Sequence, residues 1–404
     1  MKGGRAAAVL CAAEVLGMLG FASFQALVPE FAALWGLTNV EIGWVSGGYF
    51  VGYVAAVPVL VAATDRIDAR TVFLGATAVG GIAQIGFALA ADGFATALAW
   101  RALAGAALAG AYMPGLKALA DRAAGETQSR HIAFYTSSFG IGVALSFWLT
   151  GVAADAFGWR WAVGGAALGA AASCALIAIG LTPVRPTPPA RATPLLDFRP
   201  ILRNRRVMAF VLGYFGHCWE LFAFRAWIVA FLAYAAARHA PGALVLAPTE
   251  IAALANLLGV PASIFGNELA VRMGRIRLIA LVAALSVAAS LVIGAAALWA
   301  PWLVLGLALL YGVLVAGDSA ALTAGAVAAA EEGRRGATLA AHGFLGFVGG
   351  VIGPPAAGLA LDLAGGADGD GWIAGFAAMG AGSAIALLGL ALARRGGRGG
   401  RGER

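Results

Sequence analysis

The chain has 404 residues, of which 61% are hydrophobic and only 12% are charged, and its mean hydropathy is +0.87. An average soluble domain carries about 25% charged residues, so too few polar side chains remain here to cover a surface in water. The composition excludes a soluble multidomain protein and indicates an integral membrane protein, in which the 58 glycines would let helices approach closely.

Apolar runs of about 20 residues, long enough to cross a bilayer as a helix, recur along the whole chain. In chain order they predict spans at 6–28, 41–62, 71–91, 95–116, 132–154 and 161–181, then at 207–234, 250–271, 278–299, 302–325, 338–361 and 372–393. The stretch between the two sets is rich in proline and arginine and cannot span. We therefore expect a six-helix bundle over 1–182, a cytoplasmic linker over 183–206, a second bundle over 207–393 and a basic tail over 394–404.

The basic residues are unevenly distributed around these spans. With the N-terminus inside, 23 of the 27 lysines and arginines fall in segments on the inner side, where Lys and Arg accumulate in membrane proteins. We expect a multi-pass protein of the cytoplasmic (inner) membrane with both termini in the cytoplasm. The net charge of +7 then reflects topology and contact with anionic lipid, and it does not indicate a nucleic-acid partner.

The two sets of spans share a short sequence signature. The fifth span ends in Gly151-Val-Ala-Ala-Asp155 and the eleventh in Gly358-Leu-Ala-Leu-Asp362, and a Gly-Trp pair follows each of them. The two copies lie about half a chain length apart. Since they coincide with matching numbers of spans, they support a duplicated six-helix unit, which is common in transporters.

The loop after the second span carries the most specific motif. It reads Val61-Ala-Ala-Thr-Asp65-Arg66-Ile-Asp68-Ala69-Arg70, which resembles the G-x-x-x-D-R-x-G-R-R loop of the major facilitator superfamily. Asp65, Arg66 and Arg70 match this loop, whereas its two glycines and one of its basic residues are replaced. The chain resembles this family over residues 6–393, and Arg101 followed by Gly105 is similar to the family's Arg-x-x-x-Gly element in the fourth span.

This resemblance implies a fold and an activity. The fold is an all-α membrane protein with twelve transmembrane helices in two pseudo-symmetric six-helix bundles, and the activity is secondary transport by alternating access. The resemblance also implies that Asp65, Arg66 and Arg70 form a gate that braces the closed cytoplasmic side. The alternative for these three residues is a positive-inside anchor at the lipid surface.

Few ionisable residues remain inside the predicted spans. Such residues usually face the interior of a bundle or a water-filled cavity, because a charge in lipid is costly. They fall on the first, fourth, seventh and tenth spans, which line the central cavity in the family that the chain resembles. They are Glu14, Arg101, His217, Glu220, Arg225 and Asp318.

These residues suggest two kinds of site. Burial favours the neutral form of a carboxylate, which allows proton loading, so we expect Glu220 with its neighbour His217 to couple transport to protons, with Glu14 or Asp318 as second candidates. The guanidinium groups of Arg101 and Arg225 suit the fork-like binding of an anion. Two aromatic residues are weaker candidates for the substrate pocket, and the alternative for all of these groups is a structural ion pair or hydrogen bond. The aromatic candidates are Trp219 and Tyr311.

The sequence therefore predicts a proton-coupled carrier of a small organic or inorganic anion. The alternative is efflux of a drug-like or amphipathic metabolite by proton antiport, from a mainly aromatic pocket. An enzyme is not expected, because the sequence shows no metal-binding cluster, no nucleophile–base pair and no phosphate-binding G-x-x-x-x-G-K-[ST] loop. We expect no cofactor and no metal, a monomer in the lipid bilayer, and a small molecule with H⁺ as the partners.

Overall fold

The computed structural model describes residues 3–122, 127–184, 186, 199–240, 242–332, 334–367 and 369–398, and these residues form helices without a strand. The helices of the first half are α1 (Gly3–Gly17), α2 (Ser23–Ala26), α3 (Val28–Trp35), α4 (Asn39–Ala63), α5 (Ala69–Ala90), α6 (Phe94–Ala120), α7 (Thr127–Phe157) and α8 (Trp159–Gly180). Those of the second half are α9 (Arg199–Arg203), α10 (Arg205–Arg238), α11 (Pro248–Met273), α12 (Arg275–Ala296), α13 (Pro301–Gly317), α14 (Ser319–Ala329), α15 (Arg335–Leu363) and α16 (Trp372–Arg398).

Eleven stretches of the described chain are long and apolar enough to cross a membrane as helices. They correspond to the second through twelfth predicted spans, so the predicted all-helical membrane fold is confirmed. Helix α10 starts at Arg205, inside the predicted linker 183–206. Most of that linker and the last residues of the tail, 399–404, lie outside the described residues.

The first predicted span, 6–28, is not one continuous helix, and this part of the prediction is wrong. Helix α1 ends at Gly17, a turn covers 18–22, and α2 and α3 follow as short helices. Glycine lowers helix stability by about 1 kcal/mol relative to alanine; Gly17 precedes the turn and Gly20 lies within it. The buried carbonyl of Gly20 accepts hydrogen bonds from Gln84 Nε2 (3.1 Å) and Ser23 Oγ (2.9 Å), which stabilise the break.

The tenth predicted span, 302–325, is also interrupted. Helix α13 ends and helix α14 begins on either side of Asp318, whose backbone lies in the right-handed helical region (φ −100°, ψ −9°). The Asp318 side chain makes no capping hydrogen bond to α14. It is therefore available to another helix, as described below.

The chain divides into two compact units. The first contains residues 1–37 and 48–193, and the second contains residues 38–47 and 194–404. Helix α4 thus contributes its first turns to the second unit and the remainder to the first. The predicted bundle bounds of 1–182 and 207–393 stay a prediction.

Helix α10 is the central helix of the second unit, since 67% of the residues in its 18-residue apolar stretch are buried. It packs against α16 at a pair of glycines. A Cβ atom at Gly216 would lie 2.1 Å from the Gly382 carbonyl oxygen, and one at Gly382 would lie 2.3 Å from that of Gly216. Only glycine permits this approach of two helix backbones, and it holds the middle of α10, where the charged residues lie, against its neighbours.

Candidate substrate and proton sites

Arg101 lies on α6 in the first unit, and its guanidinium group is surrounded by neutral groups. The side chain is 2% exposed. Its Nη2 donates to the carbonyl of Phe21 (2.9 Å) and to Gln25 Oε1 (3.1 Å), and its Nη1 donates to the carbonyl of Gly20 (3.4 Å). The guanidinium carbon lies 4.5 Å from the centre of the Tyr49 ring. The break between α1 and α2 supplies both carbonyls, because a continuous helix would bond them internally.

The positive charge of Arg101 has no neutralising partner among the described residues. No carboxylate lies within 4.0 Å of its nitrogens, and the buried Nε atom has no hydrogen-bond partner in that part of the chain. A buried charge of this kind is held by dipoles alone, which is costly. An anion that accepts from Nε would add both the missing hydrogen bond and the countercharge.

Glu220 lies on α10 in the second unit, and three hydroxyl groups surround its carboxylate. Oε1 accepts from Tyr311 (2.6 Å, on α13) and from Ser286 (2.8 Å, on α12). Oε2 accepts from Ser383 on α16. The side chain is 1% exposed, and no lysine, arginine or histidine of the described chain forms an ion pair with it.

His217 does not act as the partner of Glu220, although it lies one turn away on α10. Its Nδ1 atom lies 2.8 Å from Asp318 Oδ1, at the break between α13 and α14. The imidazole stacks on Tyr214 (5.5 Å between ring centres), and Tyr214 in turn stacks on His342 of α15 (4.0 Å). Two of the predicted proton residues, His217 and Asp318, therefore form a pair of their own, and Glu220 sits in a separate site.

Arg225 lies on α10, six residues after Trp219. Its Nε donates to Asn256 Oδ1 of α11 at 2.7 Å, and its guanidinium carbon lies 5.5 Å from the centre of the Phe222 ring. Trp219 is partly buried and donates from Nε1 to the carbonyl of Ala378 (2.9 Å). The structure brings the other aromatic candidate, Tyr311, to Glu220 and therefore to the expected proton site.

The predicted cytoplasmic gate residues lie between α4 and α5, and only Arg70 of the three makes side-chain hydrogen bonds among the described residues. Its Nη2 donates to the carbonyl of Ala178 (2.8 Å) and its Nε to that of Ile177 (3.4 Å), near the C-terminal end of α8. A basic side chain interacts favourably with the carbonyl groups that end a helix. Asp65 and Arg66 lie in the turn, and no ion pair of the described chain includes them.

Asp68, which replaces a glycine of the family motif, makes most of the side-chain contacts in the loop between α4 and α5. It caps α5 by accepting from the backbone N–H of Arg70 (3.0 Å), and it accepts from the N–H of Val184 (2.9 Å). Its carboxylate lies 3.9 Å from Arg122, which also donates to the Thr182 carbonyl (2.6 Å). Partial burial lowers the pKa of the Arg122 guanidinium, and the charge of Asp68 opposes this effect. The loop thus joins the ends of α5, α6 and α8.

Asp362, from the repeated Gly-x-x-x-Asp signature, caps the N-terminus of α4. Its Oδ1 atom accepts from the Asn39 side-chain amide (2.7 Å) and backbone N–H (3.2 Å), and Oδ2 accepts from the Val40 N–H (3.0 Å). A carboxylate is the preferred side chain beside the N–H groups that begin a helix. The contact fixes the first turn of α4 to the last turn of α15.

Sequence reasoning missed the polar partners of the buried charges. The signal that could have found them is a serine, asparagine or glutamine within an otherwise apolar span, because such a side chain needs a hydrogen-bond partner there. These partners are Gln25, Ser138, Asn256, Ser286 and Ser383.

The family model described as Major Facilitator Superfamily matches residues 10–317, which is more than half of the chain. The chain belongs to this superfamily. The predicted resemblance is thereby confirmed, and the protein is a multi-pass membrane transporter of the major facilitator superfamily.

Solved structures show the same fold in other members. A bacterial homologue of the human lysosomal transporter Spinster, in an inward-facing and occupied conformation, superposes with a TM-score of 0.76 at 13% identity, covering 96% of each chain. A mutant of the nucleoside transporter NupG superposes with a TM-score of 0.74 at 14% identity, covering 95% of this chain and 99% of that one. No curated protein matches the sequence. At these identities the likeness to the solved structures extends to the fold alone, and it does not identify the substrate of this major facilitator protein.

Proposed function

We propose that this protein transports a small organic or inorganic anion across the cytoplasmic membrane and couples its movement to protons. The observation that carries the proposal is a pair of buried charges of opposite sign. Arg101 in the first unit and Glu220 in the second are 2% and 1% exposed, and each is held by neutral groups without a described countercharge. Charged groups inside membrane spans are rare and are by default functional.

Arg101 is the proposed anion site. A guanidinium group keeps its proton even when buried, and its planar fork binds two oxygens of a carboxylate or of an inorganic oxyanion. The protein satisfies its Nη atoms with two carbonyls and one amide oxygen, while Nε has no described acceptor. A bound anion would exchange weak neutral acceptors for a charge-assisted pair.

Glu220 is the proposed proton site. Each of its three partners is a hydroxyl group, and a hydroxyl both donates and accepts. The ionised carboxylate can accept from all three, and the protonated form can donate to one of them after that hydroxyl rotates. The same set of side chains therefore solvates both states, as a residue that alternately binds and releases a proton requires.

The test is uptake into proteoliposomes under an imposed pH gradient. Mono- and dicarboxylates, inorganic anions and cationic dyes are first screened for binding by thermal shift of the purified protein, and the anion that binds is used for uptake. We expect Glu220→Gln to lower gradient-driven uptake at least tenfold, whereas Glu332→Gln, at an exposed carboxylate, leaves it unchanged. We expect Arg101→Gln to abolish binding of the anion, with the exposed Arg277 as the matched control in Arg277→Gln.

Two results would contradict the proposal. Full gradient-driven uptake by Glu220→Gln would exclude Glu220 as the coupling residue. Transport that persists in Arg101→Gln, together with binding of cationic dyes and of no anion, would favour export of an amphipathic metabolite by proton antiport.

A further inference from the structure

A cavity lies inside the first unit, and residues of α1, α4, α5, α6, α7 and α8 line it. It has about 40 Å³ of room for the centres of water molecules, and one water needs about 10–15 Å³ on this measure. Its wall is apolar for the most part but includes six side chains with oxygen or nitrogen atoms. These are Glu14, Tyr49, Thr77, Gln84, Tyr112 and Tyr135.

Two of the polar atoms on this wall have no hydrogen-bond partner among the described residues. They are Glu14 Oε1 and Thr77 Oγ1, on side chains that are each 4% exposed. Leaving a buried polar atom unsatisfied costs free energy, and ordered water commonly satisfies such atoms in protein interiors. A cavity with apolar walls alone stays dry, whereas this one has both the space and the polar partners that bound water requires.

The second oxygen of Glu14 lies beside a hydroxyl group that can bond to either protonation state of the carboxyl group. Oε2 lies 2.5 Å from Ser138 Oγ, and the same hydroxyl lies 2.6 Å from the carbonyl oxygen of Tyr135. A serine has one proton to donate. When Ser138 donates to ionised Glu14, it leaves the carbonyl; when it donates to the carbonyl, a protonated Glu14 can donate to Ser138. The geometry accommodates both states of the carboxyl group.

The cavity also reaches the surroundings of Arg101. Gly20 and Tyr49 line it, and they are the residues whose carbonyl and ring contact the guanidinium group. Gly17, the last residue of α1, lines it as well, so the cavity borders the helix break between α1 and α2. Water inside it would lie between the carboxyl group of Glu14 and the proposed anion site.

We infer that this cavity binds two or three water molecules and that Glu14, hydrated by them, carries an exchangeable proton beside the Arg101 site. This deepens the proposed function, on which its role in coupling rests, by adding a proton site in the first unit. The titratable groups that interact with Glu14 are Cys11 on its own helix, Tyr112 on α6 and Tyr135 on α7. Helix α5 faces the cavity with Thr77 and Gln84, and α8 faces α1 with Ser173, which is bonded to the Ala13 carbonyl. Glu14 is the carboxylate of the cavity wall.

Infrared difference spectroscopy of the full chain in lipid tests the proton site without a substrate. Between low and high pH, we expect a protonated-carboxyl band that is absent from Glu14→Gln and present in Glu220→Gln. We expect this band to shift as soon as H₂O is exchanged for D₂O, because water in the cavity carries the exchange. A spectrum of Glu14→Gln equal to that of the unmodified protein, or a band that does not shift in D₂O, would overturn the inference.

Thr77→Val tests the water itself and leaves Glu14 in place. Valine has the shape of threonine without the hydroxyl group. In a hydrated cavity the variant loses a hydrogen bond to water, so we expect a lower melting temperature and slower D₂O exchange of the Glu14 band. A higher melting temperature would show that the hydroxyl was buried without a partner in a dry cavity, and would overturn the hydration of the site.

The two proposals fail separately. If the Glu14 band behaves as expected while uptake is indifferent to the pH gradient, proton-coupled transport is wrong and the hydrated site is correct. If uptake follows the gradient and requires Glu220, but Glu14→Gln removes no band, the coupling is correct and the inference about Glu14 is wrong.

Discussion

Glu14 in the first unit and Glu220 in the second are the same side chain in two different environments. Both are buried, at 4% and 1% exposure. Glu220 accepts from three hydroxyl groups on three helices, whereas Glu14 accepts from one hydroxyl and its other oxygen faces a cavity. Two environments can thus stabilise a carboxyl group inside a membrane protein. In one, side chains that packing holds in place donate hydrogen bonds to it; in the other, the carboxyl group borders a cavity that water can fill. The fold alone determines the environment of Glu220, whereas that of Glu14 also depends on water in the cavity.

Alanine in place of Glu14 or Glu220 has the largest expected effect. Glu220→Ala leaves three buried hydroxyls without their acceptor, and each unsatisfied group costs about 1–3 kcal/mol. We expect Glu220→Ala to lower the free energy of unfolding by about 3–5 kcal/mol and Glu14→Ala by about 1–2 kcal/mol. Unfolding by titration with a denaturing detergent measures both. Equal losses would contradict the difference in solvation.

Tyr311→Phe removes one fixed donor from Glu220 and leaves the aromatic ring. Hydrogen bonds to charged groups contribute about 1.5–3 kcal/mol, so we expect gradient-driven uptake to fall about tenfold or more, since 1.4 kcal/mol corresponds to a factor of ten. The partly buried Tyr234, whose hydroxyl donates to Asp370 Oδ1 at 3.2 Å, supplies the control Tyr234→Phe. Unchanged uptake in Tyr311→Phe would show that Ser286 and Ser383 suffice.

Ser138→Ala makes the smallest expected change. It removes the protein donor of Glu14, but water in the adjoining cavity can take its place at a modest cost. We expect the melting temperature to change by no more than a few degrees, which corresponds to about 1 kcal/mol or less, and uptake to stay within about threefold of the unmodified protein, again less than 1 kcal/mol. A loss as large as that of Tyr311→Phe would mean that Glu14 depends on fixed protein donors as Glu220 does.

The spans and the buried charges could be predicted from the sequence because both follow from hydropathy. A run of apolar residues must cross the bilayer as a helix, and a charge within it stands out. Glu14, Arg101 and Glu220 were identified in this way. The family match confirms the superfamily that the loop around Asp65 and Arg66 had indicated.

The partners of these charges could not be predicted, because they come from other helices. Helical periodicity placed His217 beside Glu220 on α10, yet the neighbour that completes His217 is Asp318, about 100 residues away. The two side chains are three positions apart, which is about 60° around an ideal helix, and each of them contacts a different set of neighbouring side chains. Likewise Asp68, which departs from the family motif, gave no sign that it would cap α5 and approach Arg122.

The turn at residues 18–22 has a consequence for how the Arg101 site can be altered. Two of the acceptors that hold the guanidinium group are the main-chain oxygens of Gly20 and Phe21, and every amino acid at those positions would offer the same atoms. Conventional mutagenesis therefore removes the side-chain half of the site, Gln25 and Tyr49, but leaves its backbone half intact. Replacing the amide between residues 20 and 21 by an ester, which weakens the Gly20 oxygen as an acceptor, would change the backbone half chemically without changing a side chain.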